Sequence, residues 1–299
     1  MKNKIMFIIF PGYGTTAKYF SLNYQLKESK DPMLEAKTNS NFIPELKKIG
    51  KVHFVEPKWN NLDYYDKWVI ENNQRYLHKK DIDFTLEDLN IKKYCDKVYD
   101  EVKDFKGKFI LIGHSIGALW IYYFSQKYHS RIINNFIIDG SFISPKNSRL
   151  RKKKQLKHFK KYFKLKKIND IKNSDIKELI KNIKDKNNNN LDELQTLVWK
   201  LHTFVGSFIF LKFPENVKKL KVNTIQFRNL NIESTEGIYN KKLHSKEDLT
   251  NKIDEEEYLS KNNLNRYKTI YFVNRGHSPH SYVDSCDIIL NTIKGYLLK

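Results

Sequence analysis

Apolar positions along the chain fall into two kinds of pattern. Four runs are continuous rather than alternating: Ile5 to Phe10, Phe109 to Ile112, Phe136 to Ile138 and Thr269 to Val273. An alternating strand buries one face, whereas a continuous run buries both, so these read as interior strands of a parallel sheet. Val52 to Val55 and Val222 to Phe227 are weaker examples of the same kind. Helical patterns lie between them. Ile91, Cys95, Val98, Val102 and Phe105 are spaced four, three, four and three apart, which places them on one buried helix face. The Thr85-Leu86-Glu87-Asp88 sequence before them has the form of a capping box. A second helix is expected from Ile116 to about Tyr128. A last one, from about Tyr282 to Leu298, carries Cys286, Ile289, Ile293 and Tyr296 along one side. Strands alternating with helices predict an α/β fold with a mostly parallel sheet covered on both faces.

The alternation stops once. From about Ser141 to Leu220 the pattern offers helices but no good strand. The first helical stretch holds eleven basic and no acidic residues between Arg149 and Lys167. The second carries Leu191, Leu194, Val198, Leu201 and Val205 at helical spacing, and Asn187 to Asn190 reads as a low-complexity turn between them. The expectation is one core built from residues 1–140 and 221–299, with 141–220 inserted as a helical lid. A shorter polar insertion, Ala17 to Asn39, reads as a loop.

Composition changes this picture little. Of 299 residues 40% are hydrophobic, enough for a core. The formal net charge of +21 invites a nucleic-acid or membrane partner, but only seven of the 55 basic residues are Arg. Arg is the residue that grips phosphate in a planar fork. The lysine excess beside many asparagines fits a composition bias better, and no nucleic-acid-binding motif stands in the chain. Cys95 and Cys286 lack a disulfide or metal-ligand pattern and are expected as buried thiols. Lys2 and Lys4 before Ile5 to Phe10 imitate a signal peptide, but the apolar part is too short and no cleavage site follows. A cytoplasmic protein is the expectation.

The chemistry centres on Gly113-His114-Ser115-Ile116-Gly117, a G-x-S-x-G sequence. A buried strand runs into it and an apolar helix leaves it, the strand–turn–helix context in which such a serine becomes a nucleophile. The glycines keep side chains away from the turn, and the Ile116 N–H points toward an oxyanion at the helix start. The bland alternative is an incidental serine in a glycine-rich turn.

This arrangement resembles the α/β-hydrolase family. The likeness covers roughly Lys4 to Gly140 and Val222 to Lys299, without the family's first two strands. It implies that Pro11-Gly12-Tyr13-Gly14, after the first strand, supplies the second oxyanion donor from the Tyr13 N–H. It also implies that His277, in Asn274-Arg275-Gly276-His277-Ser278-Pro279-His280 after the last strand, is the general base. His280 is its local rival, and His114 is expected to pack or to line the pocket. The acid departs from the family pattern. The loop expected after Val222 to Phe227 reads Arg228-Asn229-Leu230-Asn231-Ile232-Glu233-Ser234-Thr235-Glu236, with Asn231 close to where the family has Asp. Glu233 is narrowly favoured, with Asp139, directly after Phe136 to Ile138, as the rival placement found in some members.

A serine nucleophile implies acyl transfer through an acyl-enzyme, with no cofactor and no metal. An ester-cleaving lipase or carboxylesterase and a thioesterase both fit. Phe10-Pro11-Gly12 and Gly113 to Ala118 look like thioesterases of fatty-acid and polyketide synthesis. The substrate is thus a small-molecule or lipid acyl compound. The basic stretch around Leu156, Phe159 and Phe163 suits an acidic acyl carrier or an anionic membrane surface. A non-catalytic binding protein that keeps the hydrolase fold is the alternative.

Overall fold

The structure is a computed structural model. It describes residues 4–12, 41–61, 69–71, 74–76, 83–140, 170–185, 191–212, 219–230, 246–262, 266–273, 279–281 and 283–297, together with Lys152, Lys153, Leu156, Lys157 and Lys160, which are helical. The proposed loop Ala17 to Asn39, the turn Asn187 to Asn190, and Phe159 and Phe163 lie outside the described residues.

In chain order the elements are β1 (Ile5–Phe10), α1 (Phe42–Ile49), β2 (Lys51–Phe54), β3 (Val69–Glu71), β4 (Gln74–Tyr76), α2 (Ile91–Val102), β5 (Lys108–His114), α3 (Gly117–Tyr128), β6 (Ile132–Ile138), α4 (Asn173–Asp185), α5 (Leu191–Lys212), β7 (Thr224–Leu230), α6 (Lys246–Asn262), β8 (Tyr267–Val273) and α7 (Val283–Leu297). Six strands form one sheet in the order β2-β1-β5-β6-β7-β8, every neighbour pair parallel. The short pair β3–β4 is a separate antiparallel hairpin.

Three of the four continuous apolar runs, in β1, β5 and β6, are buried from both sides; the fourth, Thr269 to Val273, is instead the edge strand β8, paired only with β7 and with Tyr271 exposed, because its apolar residues need cover on one side only. One face of the sheet presents Ile5, Phe7, Ile9, Ile110, Ile112, Phe136 and Ile138 to Phe42, Ile43 and Leu46 of α1 and to Cys286, Ile289 and Ile293 of α7. The other presents Ile8, Phe10, Phe109, Leu111 and Ile137 to a larger cluster with α2, α3, α4 and α5. Complete burial of an Ile or Phe side chain contributes roughly 1.5–3 kcal/mol relative to exposure, so these runs are what commits the chain to the sheet. Both cysteines are buried, as their positions predicted.

Three local expectations change. First, α2 is capped by Asn90, whose side chain accepts from the Lys92 and Lys93 N–H groups at 3.2 and 3.3 Å. Thr85 and Asp88 do bond each other, but they close a separate turn five residues earlier. Phe105 lies beyond the last turn of α2 and packs on the cluster from there. Second, β6 begins at Ile132, because the polar Asn135 is accommodated inside the sheet: its side chain donates to Thr224 Oγ1 at 3.2 Å. Third, β7 continues through Arg228, Asn229 and Leu230, which the hydropathy pattern assigned to a loop. These residues pair with Tyr271, Phe272 and Val273 of β8.

Between β6 and β7 the described elements are α4 and α5, and no strand occurs there among the described residues. Ile176, Leu179, Ile180 and Ile183 of α4 and Leu201, Phe204, Val205 and Ile209 of α5 share the buried cluster of α2 and α3. The Leu86 N–H donates to Asn173 Oδ1 at 2.9 Å and ties the start of α4 to the turn before α2. No helix among the described residues is long and apolar enough to cross a membrane.

Candidate active site

β5 delivers the G-x-S-x-G segment to the carboxyl edge of the sheet, and α3 leaves it. Between them Ser115 has φ 53°, in the left-handed region. Such a conformation costs a non-glycine residue about 1–3 kcal/mol and persists only where the surroundings enforce it. The enforcement is visible. The Ser115 N–H donates to the Ile138 carbonyl of β6 at 3.0 Å, and its own carbonyl accepts from Ala118 N–H at 3.2 Å in the first turn of α3. The Ser115 residue is half-buried at this corner, and Ile116 is buried. The Ile116 and Gly117 N–H groups belong to the helix start, where no carbonyl one turn back can accept them. They point along a dipole that favours negative charge.

The two glycines of the motif act through close approach. A Cβ on Gly117 would lie 2.2 Å from the Phe10 carbonyl oxygen and 3.0 Å from that of Pro11. A Cβ on Gly113 would lie 2.8 Å from the Gly117 carbonyl oxygen. The missing side chains thus let the turn rest on the end of β1, where Pro11 and Gly12 begin the proposed oxyanion loop. Gly117→Ala is expected to destabilise the protein by about 2 kcal/mol, even after the roughly 1 kcal/mol that alanine gains over glycine in a helix. A thermal melt should show Tm lower by roughly 4–8 °C. An unchanged Tm would mean that the turn does not need this contact.

Asp139, the residue after β6, is the other non-glycine residue with positive φ among those described, at 40°. It is 7% exposed. Its N–H donates to the Phe227 carbonyl at 2.7 Å, and its Oδ1 accepts from the Asn229 N–H at 3.2 Å. The carboxylate is therefore fastened to β7 at the carboxyl edge of the sheet. Gly140 follows, and a Cβ there would lie 2.7 Å from the Ser115 carbonyl oxygen. The two strained residues, from adjacent strands β5 and β6, are thus seated against each other through Ile138 and Gly140.

Behind Asp139 is a buried ionic cluster that sequence reasoning missed. Arg228, 1% exposed, donates from Nε to Glu256 Oε1 at 2.6 Å and from Nη2 to Glu255 Oε2 at 3.3 Å. Tyr271 donates its hydroxyl to the other Glu256 oxygen. Tyr267 donates to Gln226 Oε1 at 3.0 Å, and the Gln226 amide donates to the Gly140 carbonyl. Burial by itself would lower the Arg228 pKa. Glu255, Tyr267, Glu256 and Asp139 together hold it above its ordinary value. Burial pushes Tyr267 up, and burial with the Glu256 bond pushes Tyr271 up to about 12. A signal was present in the chain: an arginine two positions along a strand from a glutamine, and three consecutive glutamates, Glu255 to Glu257, in a polar helix.

The histidines separate. His114 and His280 are both buried, with ring centroids 5.1 Å apart and edge to face, and His280 also lies 5.8 Å from the Phe42 ring. His114 alternates with Ile110 and Ile112, which places it on the α1 and α7 face beneath the turn. It packs, as expected. His280 shares this packing. Tyr13, Asn231, Glu233 and His277 lie outside the described residues.

No family model and no curated protein matches the chain. Among solved structures, MenH from S. aureus is 13% identical with TM-score 0.51, over 99% of this chain and 94% of that one. A hydrolase from Oleispira antarctica is 13% identical with TM-score 0.48, over 99% and 92%. The RedJ thioesterase of the prodiginine pathway in Streptomyces coelicolor is 11% identical with TM-score 0.47, over 98% and 89%. At such identity the likeness to MenH speaks to the fold alone. With the all-parallel sheet and its strand order, it identifies that fold as the α/β-hydrolase fold.

Proposed function

We propose that this chain, an α/β-hydrolase by fold, is a serine hydrolase that cleaves carboxylic esters or thioesters through an acyl-enzyme on Ser115. The observation that carries the reading is the left-handed Ser115 between β5 and the start of α3, in a turn whose Gly117 is pressed against the end of β1. A strained, half-exposed serine at a helix N-terminus is an unfavourable way to build a turn and a good way to present a nucleophile.

In this reading the Ser115 hydroxyl attacks the acyl carbonyl carbon while its proton passes to the imidazole of His277. The oxyanion receives the Ile116 and Tyr13 N–H groups. The bond from carbon to the alcohol or thiol then breaks, the proton goes to that leaving group, and water repeats the sequence to release the acid. Asp139 is the acid that orients the imidazole. Its burial and its bond from the Asn229 N–H support this choice, which reverses the order that residue spacing suggested; Glu233 lies outside the described residues. Asn231 in the usual place then needs no compensation, because the acid sits one strand earlier.

A fluorophosphonate probe tests the reading, followed by panels of p-nitrophenyl esters and acyl-coenzyme A thioesters of increasing chain length. Covalent labelling with turnover on either panel is the expected result, and the preferred panel decides between esterase and thioesterase. A folded protein that neither labels nor turns over either panel would be a binding protein on a hydrolase scaffold.

A further inference from the structure

We propose that Arg228 is a positioning residue of this site: held between Glu255 and Glu256 of α6, its guanidinium sets the potential at Asp139 and so the pH at which the serine becomes reactive. The inference rests on Asp139 as the acid of the proposed hydrolase.

The placement argues for it. Asp139 bonds to the backbone of Phe227 and of Asn229, the two residues that flank Arg228. One short stretch of β7 therefore carries both the carboxylate and the guanidinium. β7 lies inside the sheet, between β6 and β8, where apolar side chains would pack without charge. Buried ion pairs are frequently no more stabilising than apolar groups of equal volume, so stability alone explains the cluster poorly. Its contacts also lead to the reacting corner: Gln226, on the same face of β7 as Arg228, donates to the Gly140 carbonyl, and Gly140 is seated against Ser115.

The charges near Asp139 can be named by element. Arg228 comes from β7, and Glu255 and Glu256 come from α6. Tyr267 and Tyr271 of β8 are held neutral, their ionisation pushed up by burial. On the opposite face of the sheet are His114 of β5 and His280. Among the described residues, one cation thus stands among three carboxylates, counting Asp139. The cation keeps a buried carboxyl ionised, and the two glutamates prevent that cation from claiming Asp139 for itself. Both effects reach the imidazole that Asp139 orients, with opposite sign.

That opposition is the test. The second-order rate of fluorophosphonate labelling is measured against pH for wild type, Arg228→Lys, Arg228→Met, Glu255→Gln and Glu256→Gln, each with a thermal melt. A unit charge about 10 Å away moves a pKa by roughly one unit at an effective dielectric constant near 20. Loss of the positive charge in Arg228→Met should move the acid limb up by about one pH unit. Loss of a negative charge in either glutamine variant should move it down by about as much. Arg228→Lys should leave it within about 0.3 unit. Should Arg228→Met fail to fold, the two isosteric glutamine variants carry the test. A merely structural cluster would lower the rate and Tm with the limb unmoved, or moved the same way in every variant, and would overturn the proposal. Asp139→Asn labelling at the wild-type rate would instead overturn the assignment of the acid. No label on wild type would overturn the hydrolase reading itself.

Discussion

Ser115→Ala is expected to abolish fluorophosphonate labelling and to lower turnover of any ester or thioester substrate by at least about 10⁴-fold. Removing a nucleophile that forms the acyl-enzyme leaves only binding and oxyanion stabilisation, which act weakly without a covalent partner. The fold should not suffer, because the hydroxyl makes no bond on which the turn depends: the corner is held by the Ser115 N–H on Ile138 and by its carbonyl on Ala118 N–H. Alanine keeps the penalty of φ 53°, whereas glycine relieves it. Ser115→Gly should therefore melt above Ser115→Ala, by about 1 kcal/mol in stability. Strain at this position is thus measurable independently of activity. Labelling that survives in Ser115→Ala would place the nucleophile elsewhere, and equal stability of the two variants would deny the strain.

Asp139→Asn should be the second large effect, a fall of about 10³–10⁴-fold in kcat with substrate affinity little changed. An amide at 139 can still accept from the Asn229 N–H, so the local geometry persists. It cannot counter the imidazolium that forms as Ser115 gives up its proton, and it favours the wrong imidazole tautomer. The stability cost should be small, about 1 kcal/mol, since Glu255 and Glu256 continue to partner Arg228. Glu233→Gln, by contrast, should lose less than about tenfold. Side-by-side kinetics of the two variants on one substrate decide the matter. A deep loss in Glu233→Gln with Asp139→Asn near wild type would return the acid to the segment after β7.

These effects differ in how far the chain itself announced them. The serine was legible because every part of its environment is local: the strand before it, the helix after it and the glycines beside it lie within a few residues. The acid was not. Choosing between Asp139 and Glu233 depends on where β7 ends, which is set by pairing with distant β8, and on which N–H groups face the end of β6, which is set by the register of β7 on β6. Hydropathy ended β7 at Phe227 because Arg228 is charged, yet Arg228 is buried in the sheet. The same blindness hid α6. Its apolar stripe is sparse, and among the described side chains its anchorage is Tyr258 and Leu259 together with two carboxylates on that arginine. His280 followed the same rule: its place beside His114 and Phe42 is a matter of packing between α1, β5 and the segment before α7.

The sequence by itself determined the parallel sheet, the helices α2, α3 and α7, and the serine at the turn. Burial on two faces writes continuous apolar runs, burial on one helix face writes a 3.6-residue period, and a tight strand-to-helix turn writes its glycines, all within a short stretch of chain. Only the tertiary structure decided the partner of each buried charge, the end of β7, the fastening of Asp139 to β7 and the burial of His280. A charge is tolerated inside a protein only where its counter-charges are, and here those counter-charges stand about 27 residues away along the chain from Arg228 and are brought to it by the fold.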